Sequence, residues 1–279
     1  MQQYTHTDPN LPGKPLTLRF LNNSIKMWVL IALIGQWFFT LYILLGFAYP
    51  LALGGPQNID YSHMIEGYVA GDTSGNFILL MHIIPASLLS LSGIFQLVPF
   101  IRKTYPRFHR YNGRVFLSIG LLGALSGLYL TWIKGTRLSD FGALGITLNG
   151  LLIPIAVYFA WKFARQKQFE NHMMWAVHAF ILINGVWTFR LYLMSWFVIG
   201  NAAFGASPSL EGPSGIFLSY ACYLVPMCIA QIYFWGRKQS QRYKVNISIG
   251  FVLFGVVTTA LGVGSASLFM WWPRIAGAL

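Results

Sequence analysis

Charge is scarce in this 279-residue chain and negative charge is scarcest: charged residues make up 9% of it, and only 7 residues are Asp or Glu. Soluble domains carry about 25% charged residues, so the solvent implied here is a lipid bilayer. No Asp or Glu falls inside any of the long apolar stretches. That excludes carboxylate-based proton or sodium pumping and intramembrane proteolysis by paired aspartates. Cysteine is almost absent: Cys222 and Cys228 lie on one apolar stretch, about 240° apart around a helix, which excludes an intrahelical disulfide and reads as two buried thiols. GxSxG, Walker, HExxH, dinucleotide and CxxC patterns are all missing, and with them the corresponding enzyme chemistries. The net charge of +12 sits almost wholly in short connections, where it serves topology and anionic headgroups, so no nucleic-acid partner is expected.

What the chain does have is apolar length. Apolar residues are 56% of it, with a mean hydropathy of +0.56. Seven stretches meet or approach the ~20 residues that a helix needs to cross a ~30 Å hydrocarbon core. They are Met27 to Tyr49, Phe77 to Ile101, Val115 to Ile133, Phe141 to Phe163, Met173 to Ile199, Ile216 to Trp235 and Ile247 to Trp272. Only helices or a closed barrel satisfy the backbone inside a bilayer, and uninterrupted runs of this length mean helices. The expected fold is an all-α polytopic bundle of about seven transmembrane helices. A polar N-terminal segment, 1–26, precedes one transmembrane domain, 27–279, whose core is 77–235. Basic residues fall on alternate connections: Lys14, Arg19 and Lys26; Arg102, Lys103, Arg107, Arg110 and Arg114; Lys162, Arg165 and Lys167; Arg237, Lys238, Arg242 and Lys244. The positive-inside rule then gives a cytoplasmic N-terminus and an external C-terminus.

Ionisable side chains inside the spans are costly and usually face the bundle interior. In the second span, His82 begins a stripe of small and polar residues with Pro85, Ala86, Leu89, Gly93 and Gln96. In the fifth, His172 and Arg190 are 18 residues apart, five whole turns of one helix, with Ala176, Ala179 and Ile183 between them, so both should point inward. At the mouth of the third span stand His109, Arg110 and Arg114. There His109, Gly113, Phe116, Gly120 and Gly127 share a face, and Gly123 with Gly127 forms a GxxxG pair suited to close helix contact. Asn149 and Asn184 add hydrogen-bonding capacity nearer the midplane or outer half.

Two passages, MHIIPASLLSLSGIFQLVPFIRKTYPRFHRYNGRVFLSIGLLGALSGLY from Met81 and NHMMWAVHAFILINGVWTFRLYL from Asn171, resemble a bacterial family of multipass membrane proteins catalogued only as a domain of unknown function, number 2306. The resemblance covers roughly Phe77 to Trp235. It rests on His82, on His109 with Arg110, on Gly113 with Arg114, on His172 and on Arg190. It implies a bacterial inner (plasma) membrane protein and names no activity. A looser similarity, to transmembrane b-type cytochromes, implies haem b ligated by His109 and His172, with Arg110 and Arg114 near its propionates. His82 and His109 lie at opposite faces and cannot share one iron; the first external connection carries His63.

Three functions stay open. One is electron transfer through haem, with a quinone-like or small-molecule site near His82 and Arg190. Another is a haem-free binding or transport protein whose pocket, lined by His82, Asn149, Asn184 and Arg190, takes a small anionic ligand or lipid headgroup. The last is an accessory subunit of a membrane complex. The topology has its own test: a reporter fused after Lys244 is expected on the cytoplasmic side and one at the C-terminus outside. If both report the same side, the last stretch does not cross.

Overall fold

The computed structural model describes residues 15–61, 67–137, 139–200 and 211–278, and every regular element among them is helical. We number the helices α1 (Leu16–Gly54), α2 (Thr73–Leu97), α3 (Pro99–Thr104), α4 (Pro106–Trp132), α5 (Asp140–Arg165), α6 (Phe169–Ile183), α7 (Gly185–Gly200), α8 (Pro213–Gly236) and α9 (Arg242–Gly277). Their starts follow local chemistry. Proline opens α3, α4 and α8, where its missing N–H would have had no helical partner anyway. The Asp72 carboxylate accepts the Gly75 N–H at 2.9 Å to cap α2, and the Ser139 hydroxyl accepts the Gly142 N–H at 3.1 Å to cap α5. That backbone donor and then Lys134, 3.1 Å away, hold the Asp72 carboxyl below its ordinary range.

Six helices are long and apolar enough to cross a membrane, and the bent pair α6–α7 makes a seventh span if it is counted as one. The outward faces stay apolar: Leu122, Leu125, Phe141, Leu151, Phe217 and Leu268 are all more than half exposed. In a soluble protein such a surface would be a liability; here lipid covers it. The packing order runs α1, α2, α4, α5, α8, α9 and back to α1, and α6–α7 passes through the middle of that ring. The central position explains the complete burial of Ala179, Leu182 and Leu191. It also explains Gly262 on α9, where a Cβ would stand 3.1 Å from the Leu191 backbone. Small residues of this kind set how closely membrane helices approach.

The fifth apolar stretch is not one straight helix. It breaks at Asn184, where φ is −92° and ψ is 14°, and α6 and α7 meet at 59°. An Asn-Gly pair is a poor helix continuation, and side chains take over where the backbone ladder stops. The Asn184 amide donates to the Phe180 carbonyl at 2.9 Å, and the Asn149 amide, from α5, donates to the Leu182 carbonyl at 3.1 Å. Gln36 of α1 donates to Asn184 Oδ1 at 3.0 Å, and the Thr188 hydroxyl donates to the Asn184 carbonyl at 3.2 Å. The five-turn stripe from His172 to Arg190 is therefore corrected: with a bend between them, helical arithmetic no longer relates their directions.

Other boundaries shift as well. Helix α1 begins at Leu16 rather than Met27, because Leu21 packs with Ile229, Val245 and Val252 beyond the apolar stretch. Helix α4 begins at Pro106, so His109 to Arg114 are helical rather than loop residues. Cys222 is buried, but Cys228 is exposed, contrary to the reading of two buried thiols. In the GxxxG pair, only Gly127 faces another helix, where a Cβ would stand 3.4 Å from the His82 ring, while the space outside Gly123 is open.

If the amides hold the break, Asn149→Leu leaves the Leu182 carbonyl without its side-chain donor in a medium free of water. A loss of roughly 0.5–2 kcal/mol is expected, seen as a lower unfolding temperature in detergent. An unchanged unfolding temperature would show that the bend does not need this bond.

Candidate functional site

The end of the bundle that carries most basic residues holds two histidines on neighbouring helices. Gln96 of α2 donates to the His109 carbonyl at 3.1 Å and Asn112 donates to the Ser92 carbonyl at 2.7 Å, which fastens the first turns of α4 to α2. Opposite, the tight turn between α5 and α6, with Lys167 at a φ of 57°, brings His172 beneath the end of α5. His172 Nδ1 lies 2.9 Å from the Ala160 carbonyl. A carbonyl can only accept, so Nδ1 carries the proton and Nε2 of the neutral ring keeps its lone pair. His109 and His172 lie within Coulombic reach of each other, with Arg102 also acting on His109. His109 Nδ1 is buried without a hydrogen-bond partner among the described residues, an unusual state for a native ring nitrogen.

Arg110 and Arg114 are elsewhere. They lie about 100–140° around α4 from His109, on the exposed face, and together with Arg107 and Tyr111 they line a cleft of about 170 Å3. The structure thus sets His172 within Coulombic reach of His109 and turns Arg110 and Arg114 away from His109. His178, a turn and a half further along α6, is buried and bonds through Nε2 to Gln231 Oε1 at 3.1 Å.

The opposite end gathers His82 and Arg190, which are within Coulombic reach of each other. The Ser126 hydroxyl directs its proton to the Leu122 carbonyl at 2.8 Å, so it receives the Nδ1 proton of His82, also at 2.8 Å. That leaves His82 Nε2 as an acceptor. Arg190 donates to the Val186 carbonyl at 3.2 Å and sets its guanidinium carbon 5.7 Å from the Phe39 ring centre. One turn along α1, Tyr42 lies under Arg274 at 5.7 Å, and Arg274 donates to the Met270 carbonyl at 3.0 Å. Two π-helical turns, Leu44–Ala48 in α1 and Ser267–Trp271 in α9, bracket this cluster. Such turns recur at functional positions. The indole N–H groups of Trp187 and Trp271 and the Ser267 hydroxyl are buried here without partners among the described residues.

Sequence spacing did not bring Arg274, Tyr42, Trp187 or Trp271 to this cluster, because they come from three helices and no local period links them. Asn149 and Asn184 are instead engaged at the break. His63 lies outside the described residues. Among the described residues no three His, Cys, Asp or Glu side chains converge into a metal-binding group.

Residues 79–234 match a family described as "Predicted membrane protein (DUF2306)". No curated protein and no solved structure matches the chain.

Proposed function

The chain belongs to the DUF2306 family of membrane proteins, and from the polar groups at its two ends we propose that it carries electrons through b-type haem held by His109 and His172. The observation that carries this reading is the His172 hydrogen bond to the Ala160 carbonyl. Metal-ligating histidines characteristically donate their other N–H to a carbonyl or carboxylate, which fixes the tautomer and aims the free lone pair. The pairing of His172 with His109 across α4 and α6, and the unpartnered Nδ1 of His109, fit a site that an iron would complete. In place of Arg110 and Arg114, Arg102 is the cation within reach of His109 and the residue to pair with a propionate. Bound haem, held by His109 and His172, would supply reversible one-electron chemistry, with a potential tuned by its ligands and by burial. The protein's part is to orient the imidazoles and to keep water from the apolar flank, where the stacked rings of Phe116 and Phe180 close the interior. We place the protein in a bacterial inner membrane with its N-terminus cytoplasmic, which puts this pair on the cytoplasmic side.

The test is a spectrum of haem-replete protein. Bis-histidine haem is expected to give an intense Soret band and narrow visible bands on dithionite reduction, lost in His109→Ala and in His172→Ala but kept in His178→Ala. Haem-replete protein lacking these bands would sink the assignment.

A second reading, a haem-free site for an anionic or carbonyl-bearing small molecule, is favoured by the surplus of donors around Arg190. That guanidinium offers five N–H groups, the buried indoles and Ser267 add more, and no span supplies a carboxylate, Asp60 of the first connection being the carboxylate within Coulombic reach of Tyr42. His82 Nε2 could take a ligand proton, and Arg190 its oxygen. Under this reading a quinone or an oxyanion raises the unfolding temperature of the purified protein, and Arg190→Lys weakens binding about tenfold or more while the fold survives, because a point charge does not replace a planar fork. His82→Ala is expected to act in the same direction. Equal binding by both variants and the parent would make the cluster structural.

A further inference from the structure

On α4, Arg107, Arg110, Tyr111 and Arg114 stand at offsets of three, four and seven residues and line the cleft of about 170 Å3 already described. We infer that this cleft is a binding site for the phosphate of an anionic phospholipid headgroup. The inference is independent of the haem reading, since these arginines face away from His109.

The segment around the cleft is strongly cationic. Residues 98–114 contain five Lys or Arg and no Asp or Glu, and among the described residues none of the three cleft arginines bonds to a carboxylate. Three guanidiniums held on adjacent turns of one helix repel one another, and an anion seated between them relieves that repulsion beyond what solvent screening does. The planar fork of each offers paired N–H donors that match phosphate oxygens.

The cleft also lies at headgroup depth. Arg114 directly precedes Val115, the start of the apolar stretch. At ~1.5 Å of rise per residue, Arg110 and Arg114 stand within roughly 8 Å of the hydrocarbon edge, which is the headgroup layer. Tyr111 is 65% exposed between them, with the Arg114 guanidinium 5.4 Å from its ring centre. Tyrosine at headgroup depth, with its ring towards the chains and its hydroxyl in the polar layer, is an interfacial anchor. The cleft thus opens at headgroup depth, with the Tyr111 ring beside three guanidiniums in its lining.

The full chain in nanodiscs of phosphatidylcholine with a minor share of phosphatidylglycerol, examined by native mass spectrometry, tests this directly. Retained phosphatidylglycerol well above its bulk share is expected in the parent. R107Q/R110Q/R114Q is expected to lower that occupancy roughly tenfold or more. K238Q/R242Q/K244Q removes the same charge from another basic connection and should leave it unchanged. If the triple cleft variant fails to fold, R110Q alone should show a partial loss that the single K244Q does not. Equal losses from the cleft and control variants would overturn a site in favour of diffuse charge. Competition by millimolar inorganic phosphate as effective as by the lipid would overturn the headgroup assignment in favour of a free anion.

Discussion

A peptide carbonyl that loses its helical partner inside a bilayer has no water to turn to, and the arrangement of this bundle depends on how that demand is met at Asn184. The Asn184 and Asn149 amides close the open end of α6, and Gln36 pins the junction to α1. With those bonds made, the central span can bend by 59° without leaving bare backbone in lipid. The bend then lets its two halves serve different neighbours. Helix α6 packs on α4, α5 and α8, and so brings His172 within Coulombic reach of His109. Helix α7 packs on α8 and α9, and so delivers Arg190 to the aromatic residues of α1 beside the end of α9. A straight helix would have fixed one direction from the other.

The shortage of carboxylates shapes what the cations do. Where a soluble protein would use ion pairs, this chain sets cations over rings: Arg114 on Tyr111, Lys162 on Tyr158 and Phe159, Arg237 on Tyr233, Arg190 on Phe39 and Arg274 on Tyr42. These contacts differ in consequence. At the membrane surface a cation over a tyrosine is worth about 0.5–1 kcal/mol and water completes its hydration, whereas a desolvated one reaches about 2 kcal/mol. Among the described residues, the Arg190 guanidinium donates back to its own helix, at Val186. A half-buried guanidinium over the Phe39 ring, within Coulombic reach of His82, is what sets this end apart from the basic loops.

The histidines show how much depends on an acceptor's identity. An imidazole beside a hydroxyl leaves its tautomer open until the hydroxyl's own proton is placed; beside a carbonyl there is no choice. His172 is of the second kind, and His82 is brought to the same tautomer because Leu122 takes the Ser126 proton. Each therefore presents Nε2, one at each end of the bundle. His178, bonded through Nε2 to the Gln231 side chain, has no such free lone pair on that nitrogen when Nε2 donates.

The sequence by itself determined the solvent, the helical class, the number of apolar stretches and the residues that face inward on α4, because hydropathy and a 3.6-residue period are local properties. Gly113, Phe116, Gly120 and Gly127 meet Gln96, Phe180, Ile183 and His82 respectively, as their shared face required. That His109, His172, His82 and Arg190 are polar where lipid makes polarity expensive was legible too. Only the tertiary structure decided which of them belong together. The break at Asn184 cancelled the five-turn relation between His172 and Arg190, and the start of α4 at Pro106 turned Arg110 and Arg114 away from His109. Arg274 reached Tyr42 across more than two hundred residues. Those juxtapositions come from packing between distant helices and from the bonds that permit a bend, and no window of local sequence contains either.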